Sequence, residues 1–178
     1  MNRREGAASL GPMRVLGLFV VAGTLLCCLG FPSGAHALST GERAPEIGLQ
    51  DLDGKVVKMA DLRGKVVLID FWATWCKPCK AELPVLQKLQ KKYGSDLVVV
   101  AVSVDRDPSK VRAFLKELGV SVRAVVDAEH RVAGRYAPPK MPSSYIADGK
   151  GIIKFVHEGF KAADAATFDR EIKSLIAK

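Results

Sequence analysis

Cysteine is scarce in this chain of 178 residues, which contains only four, and two of them lie within residues 1–37. The remaining two, Cys76 and Cys79, can form at most one disulfide with each other, whereas many small secreted domains depend on several. A closed zinc site needs four ligands, and His130 and His157 lie too far apart in the sequence for zinc-finger spacing. We therefore expect neither a bound metal nor a cofactor.

Aromatic residues are also few, at 7% of the chain, although the net charge is +8. The basic residues are scattered, and the one cluster, Lys88, Lys91 and Lys92, has no aromatic side chains interleaved with it. This pattern favours a solvated helix face over a nucleic-acid surface, because positive charge alone mainly affects solubility and steering. We expect no nucleic-acid partner.

The N-terminal segment has the pattern of an export signal. Three arginines precede or flank an apolar run over residues 15–29, and Ala35-His36-Ala37 has the small-x-small form of a signal-peptidase site. We interpret residues 1–37 as a signal peptide and residues 38–178 as one domain. The signal is expected to be cleaved, with retention as a membrane anchor as the alternative, because the run is short for a span of about 20 residues. Either reading predicts a periplasmic or other extracytoplasmic protein.

The most informative motif is Cys76-Lys77-Pro78-Cys79, which directly follows a long apolar stretch. A helix starting at this point has unpaired amides and the positive end of its dipole near the first sulfur, and Lys77 adds a charge. These effects favour a thiolate, so we predict that Cys76 is the nucleophile and has a lowered pKa. Cys79 lies about one turn further along and should be the more buried, resolving thiol. This redox-active interpretation is favoured over structural zinc or a static disulfide.

Turn signals divide the rest of the chain into alternating strands and helices. Runs of consecutive apolar residues predict buried strands, and apolar residues at helical spacing predict helices. The order predicts a mixed sheet with helices on both faces. The strands are predicted over residues 47–50 and 55–59, which form a hairpin, and over 66–71, 97–104, 123–127, 144–147 and 152–157; the helices are predicted over 76–93, 108–118, 129–136 and around 168–176.

The stretch Phe71-Trp-Ala-Thr-Trp-Cys-Lys-Pro-Cys-Lys-Ala-Glu-Leu-Pro84 resembles the active site of thioredoxin-like thiol:disulfide oxidoreductases of the exported TlpA/ResA type, in the AhpC/TSA-redoxin superfamily. The resemblance covers most of the chain after about residue 42. It implies an α/β thioredoxin fold with three layers, α/β/α, around a mixed central sheet. It also implies an N-terminal β-hairpin and a central βα insertion, which we place between residues 123 and 136.

The resemblance further implies that the Cys76–Cys79 pair exchanges dithiol for disulfide with substrate proteins. The usual role in such proteins is that of a reductant, for example of apocytochrome c, kept reduced by a membrane electron donor. We expect a monomer. Two alternatives remain: a thiol peroxidase of the peroxiredoxin kind, since Thr74 precedes Cys76 by two, and a non-catalytic binding module with the same fold.

Two carboxylates are predicted to handle protons. Asp70 lies in an otherwise apolar strand, where burial should raise its pKa and make it a base for Cys79. Thioredoxins have an aspartate at the matching place. Glu82 matches an acidic residue that the ResA type places near its active site, although beside Lys80 it could equally be an ordinary surface residue. We rank Asp70 above Glu82.

The last candidate is the proline-rich segment of residues 138–142, which alone would be read as an extended connector. By resemblance, Pro142 holds the place of a cis proline opposite the cysteine pair. The backbone of Met141 would then pair with an extended substrate segment, although Met is an unusual residue there. The full set of predicted substrate-binding residues is Trp75, Lys77, Pro78, Met141 and Pro142.

Overall fold

The computed structural model describes residues 37–177. Within them, the strands are β1 Leu49–Gln50, β2 Val56–Val57, β3 Val66–Trp72, β4 Leu97–Ser103, β5 Arg123–Val126, β6 Ser143–Ala147 and β7 Ile153–Glu158. The helices are α1 Lys77–Tyr93, α2 Pro108–Leu118, α3 Arg131–Tyr136 and α4 Asp164–Ile176, with short 3-10 turns at Met59–Leu62 and Gly94–Asp96. Apart from Ala37, the predicted signal segment lies outside the described residues. Over residues 37–177, no helix has the length and apolar character needed to cross a membrane.

The main sheet has five strands in the order β5-β4-β3-β6-β7. Strands β3, β4 and β5 run parallel, whereas β6 is antiparallel to both β3 and β7. The predicted mixed sheet is therefore confirmed, and β3 is its central strand. The separate hairpin β1–β2 confirms the predicted N-terminal hairpin.

Alternate residues of β3 face two different helical layers. Val67, Ile69 and Phe71 belong to a core with α3, the hairpin and apolar residues between 38 and 47. Val66 and Leu68 pack instead with α1 and α4. Because all seven residues of β3 are buried, the strand is covered on both faces, which accounts for its continuous apolar sequence. The three-layer thioredoxin architecture is confirmed.

The ends of α2 follow from local chemistry. Asp107 accepts a hydrogen bond from the amide of Ser109 at 2.9 Å, Pro108 occupies the first helical position, and Gly119 ends the helix with a φ of 67°. These are the predicted ends. Several other bounds differ from those predicted. β1 begins only at Leu49, β2 stops at Val57, since a 3-10 turn follows, and α3 begins only after His130, whose φ is 55°. α4 begins at Asp164, earlier than predicted.

Candidate active site

The cysteine pair lies where the central strand passes into α1. After β3 a tight turn forms, closed by a hydrogen bond from the Cys76 amide to the Ala73 carbonyl at 3.0 Å. Cys76 is the N-cap residue of α1, so its sulfur lies at the end where backbone amides lack helical partners. The two cysteines form a disulfide with their Cα atoms 5.4 Å apart. Cys76 retains 4% exposure and Cys79 none, which is the predicted order.

Asp105 fixes the loop that leads into Cys76. Its carboxylate accepts hydrogen bonds from the Thr74 amide at 2.9 Å and from the Thr74 hydroxyl at 2.8 Å. The Ser103 hydroxyl donates a third bond at 2.7 Å. Asp105 was missed by sequence reasoning, although a signal exists: it lies just beyond the end of β4, the parallel neighbour of β3, and parallel strands end at the same edge of a sheet.

The surface around the disulfide presents three of the predicted substrate-binding residues. Trp75 is 70% exposed, and Lys77 and Pro78 are also exposed. Among residues 37–177, Trp75 and Val56 are the large apolar side chains that are exposed, and Trp75 is the more exposed of the two. Beneath this surface, Phe114 of α2 packs against the buried Trp72 with their ring centroids 5.4 Å apart.

The Met141–Pro142 peptide bond is cis, as predicted from the resemblance. The pairing of Phe71 with Ser143 places Pro142 beside the carboxyl end of β3, near the start of the cysteine turn. Met141 packs against the core cluster that includes both cysteines. The carbonyl of Pro142 accepts a bond from the Gly159 amide at 2.7 Å, whereas Met141 forms no hydrogen bond with the rest of residues 37–177.

The two predicted carboxylates, on β3 and α1, are joined by a serine. The Ser144 hydroxyl oxygen lies 3.0 Å from Asp70 Oδ1 and 2.8 Å from Glu82 Oε1. All three side chains are buried. The interpretation of Glu82 as an ordinary surface residue is therefore wrong: α1 turns this residue toward the sheet, three positions after Cys79 on the same helix face.

Both carboxyl groups hold protons more strongly than usual. Burial raises the pKa of Asp70 to about 7. Burial and then the nearby charge of Asp70 raise the pKa of Glu82 to about 9. Neither remaining oxygen, Asp70 Oδ2 or Glu82 Oε2, has a hydrogen-bond partner within the described chain. Such a pair can hold or accept a proton near neutral pH, which ordinary surface carboxylates cannot.

Ser144 is the second functional candidate that sequence reasoning missed. The available signal was a polar residue in a buried strand, two positions after Pro142. Its placement depends on the antiparallel register of β6 against β3, which sets Ser144 opposite Asp70. Because facing residues on paired strands share one face of the sheet, this register brings the hydroxyl to the carboxylate.

The histidines that a zinc site would require lie elsewhere. A ring nitrogen of His130 lies 3.1 Å from the Val104 carbonyl oxygen, and His157 lies 2.6 Å from a Glu171 carboxylate oxygen. Across residues 37–177, no three side chains of His, Cys, Asp or Glu are arranged to hold a metal ion.

The fold, the cysteine pair at a helix start and the cis proline beside it together define a class, that of thiol-disulfide oxidoreductases with the thioredoxin fold, and this chain is an enzyme of that class. Residues 40–156 match the model of the AhpC/TSA family, and the chain belongs to that family.

Curated relatives and solved structures agree with this placement. The chain is 38% identical over 125 residues to the thioredoxin-like protein YneN of Bacillus subtilis, covering 68% of this chain and 73% of the relative. It is 35% identical over 150 residues to the thiol-disulfide oxidoreductase ResA of the same organism, covering 78% and 84%. A crystal structure from Chlorobium tepidum, assigned as the thiol:disulfide interchange protein DsbE, matches with a TM-score of 0.75 at 32% identity, over 79% of this chain and 99% of that one.

Proposed function

We propose that this protein is an exported reductant of protein disulfides, acting through Cys76 and Cys79. The observation that carries the proposal is the joint placement of the pair. Cys76 lies at the amide end of α1 beside an exposed Trp75, whereas Cys79 lies three residues before the buried Glu82. The Glu82 carboxyl shares the Ser144 hydroxyl with Asp70, whose pKa of about 7 lets it bind a proton near neutral pH. The first environment favours a thiolate, and the second can take a proton from a thiol.

The exchange proceeds in two displacements. The Cys76 thiolate attacks one sulfur of the substrate disulfide, and the other substrate sulfur leaves as a thiolate and takes a proton. Cys79 then transfers its proton to the pair of Asp70 and Glu82, and its thiolate attacks the Cys76 sulfur. The mixed disulfide breaks, the second substrate thiol is released, and the Cys76–Cys79 disulfide remains. Two electrons pass from the dithiol to the substrate.

Substrate contact is assigned to the exposed residues Trp75, Lys77 and Pro78 and to the half-buried Met141. Met141, which has no hydrogen bond within the described chain, can offer its backbone to an extended substrate segment as an added strand. Trp75 and Pro78 supply apolar contact, and Lys77 attracts an acidic or ionised substrate group. Met141, which precedes the cis bond at Pro142, packs against the core cluster that includes both cysteines, which supports this assignment.

We propose the role of a reductant because the pair of carboxyls can accept the proton that Cys79 must lose when the dithiol gives up its electrons. The signal pattern of residues 1–37 supports the proposal of export. In an oxidising compartment such a reductant needs a supply of electrons, which we assign to a membrane thiol-disulfide donor. Cysteine pairs of apocytochrome c are a proposed target, and the protein is proposed to act as a monomer.

Reduction of insulin disulfides, with dithiothreitol as electron source, tests this function. Wild type should accelerate the reaction, and Cys76→Ser should lose the acceleration, because the serine hydroxyl is not ionised at neutral pH. Cys79→Ser should accumulate mixed disulfides through Cys76, whose partners mass spectrometry can identify. Equal activity of wild type and Cys76→Ser would instead indicate a binding module. Rapid peroxide consumption that survives in Cys79→Ser would indicate a thiol peroxidase.

A further inference from the structure

The Ser144 hydroxyl makes two contacts that cannot both be donated bonds. It lies within hydrogen-bond distance of Asp70 Oδ1 at 3.0 Å and of Glu82 Oε1 at 2.8 Å, yet it has a single hydrogen. If both carboxyls were ionised, one carboxylate oxygen would face the lone pairs of the hydroxyl at contact distance. Both contacts are hydrogen bonds when one carboxyl is protonated and donates to the Ser144 oxygen, while the Ser144 hydroxyl donates its hydrogen to the other carboxylate.

Resting on the proposed function, we propose that Ser144 is a positioning residue that joins the carboxyls of Asp70 and Glu82 into one proton-holding unit serving Cys79. We name these three residues the serine triad. Glu82 is the protonated member at neutral pH, because its pKa is the higher of the two. The Ser144 oxygen accepts a hydrogen bond from the protonated Glu82 carboxyl, and the Ser144 hydroxyl donates its own hydrogen to the Asp70 carboxylate.

The triad gives the resolving step a defined proton balance. The Cys79 thiol loses its proton to the ionised carboxyl, and the thiolate attacks the Cys76 sulfur to form the internal disulfide while the substrate sulfur leaves. The triad then holds two protons and returns one to water before the next cycle. Because the Ser144 hydroxyl can rotate, the acceptor can be either carboxyl, provided that the other remains protonated.

Few other charged groups face the triad. Asp164 of α4 acts on Glu82 through its charge. His157 of β7 is the cross-strand neighbour of Ser144, and its ring nitrogen is bonded to Glu171 of α4 at 2.6 Å. On the other side of β3, the partner of Asp70 is the apolar Ala101 of β4. Ser144 is the one group that contacts both carboxyls among the hydrogen bonds of residues 37–177.

Titration of the oxidised protein tests the triad directly, because neither disulfide sulfur titrates. With ¹³C-labelled carboxyl groups followed by NMR, the Asp70 ionisation in Ser144→Ala should move up by about one pH unit, since the ionised form loses a donated hydrogen bond. Ser144→Thr, which keeps the hydroxyl, should return it toward the wild-type value. Ser143→Ala is the matched control: it removes a buried hydroxyl from the same strand, one that is bonded to the Lys140 carbonyl at 2.7 Å rather than to a carboxyl.

The kinetic counterpart is the rate at which Cys79 releases substrate from a preformed mixed disulfide on Cys76. A one-unit rise in the pKa of Asp70 lowers its ionised fraction at pH 7 from about one half to about one eleventh, so Ser144→Ala should be about fivefold slower there. The deficit should vanish toward high pH, where a purely structural defect would persist.

An unchanged Asp70 titration in Ser144→Ala would overturn the serine triad, whether or not insulin is reduced. A pH-independent loss of the release rate would overturn it as well. If wild type failed to reduce any protein disulfide, the proposed function would fall instead, while the titration would still report on the triad.

Discussion

Replacing Asp70 by Asn should change how the stability of the oxidised protein depends on pH. Asp70 is fully buried, and burial raises its pKa from 3.8 to about 7. Below pH 3.8 the carboxyl is protonated in both folded and unfolded chains, so folding carries no penalty for its charge. Above this, the unfolded chain ionises while the folded chain keeps its proton, so stability falls until the folded carboxyl also ionises near pH 7.

The size of this effect follows from the interval between the two pKa values. It spans about three pH units, and each unit corresponds to about 1.4 kcal/mol, which gives about 4 kcal/mol lost by wild type between pH 4 and pH 8. In Asp70→Asn, the amide oxygen can still accept a hydrogen bond from Ser144. The amide NH2 group, however, takes the place of Oδ2, which has no hydrogen-bond partner, so a buried donor is left unpaired and stability falls by about 1–3 kcal/mol. That cost is the same at every pH, whereas the loss in wild type is not.

Urea unfolding of the oxidised proteins at pH steps from 4 to 8 measures the difference. The free energy of unfolding of Asp70→Asn, relative to wild type, should rise by about 4 kcal/mol over this range. Folded wild type keeps the Glu82 proton over most of this range. In Asp70→Asn the pKa of Glu82 is lower because the charge of Asp70 is gone, so any ionisation of Glu82 adds to the rise in relative stability. Asp53→Asn, at an exposed position, controls for the change in net charge. Parallel stability curves for wild type and Asp70→Asn would refute the buried, proton-binding carboxyl.

Three further results are expected. Glu82→Gln should reduce insulin at nearly the wild-type rate at pH 7, because Glu82 is already protonated there, whereas Asp70→Asn should be slower by about tenfold or more. Insulin turnover measured from pH 6 to 9 separates the two variants. An equal loss of rate in both at pH 7 would contradict the assignment of Asp70 as the ionised carboxyl. Trp75→Ala should change the unfolding free energy by less than about 0.5 kcal/mol, because the side chain is 70% exposed. The same variant should raise the KM for insulin without altering the rate at which a small disulfide oxidises the protein. An unchanged KM would show that Trp75 does not contact the substrate. Asp105→Ala should lower the free energy of unfolding in urea by about 1–3 kcal/mol, because the Thr74 amide loses its partner, and Asp105→Asn should lower it by less. Equal stability of wild type and both variants would show that this carboxylate does not hold the loop.

Features set by neighbouring residues were predictable from the sequence. The ends of α2 follow from Asp107, Pro108 and Gly119, each of which acts within one turn of the chain. The central strand β3 was recognisable because a strand covered on both faces needs an unbroken apolar sequence. The junction of Cys76 with a helix start followed from the same local patterns, together with the resemblance to thioredoxin-like enzymes.

Features that depend on pairing between distant segments were not predictable in the same way. The burial of Glu82 depends on how α1 packs on the sheet, and helical periodicity alone left it on the border between core and surface. The contact of Ser144 with Asp70 requires the exact antiparallel register of strands separated by more than 70 residues. Asp105 reaches Thr74 only because β4 lies parallel to β3.

We expect Cys76 to be ionised at neutral pH because it is the N-cap residue of α1. Reduced protein can be alkylated with iodoacetamide across a range of pH, with the modification at Cys76 quantified by peptide mass spectrometry. The rate should follow a titration with a midpoint between about 3.5 and 7.5, as for other thiolates at helix starts. A midpoint near 8.5, that of a free thiol, would contradict the account.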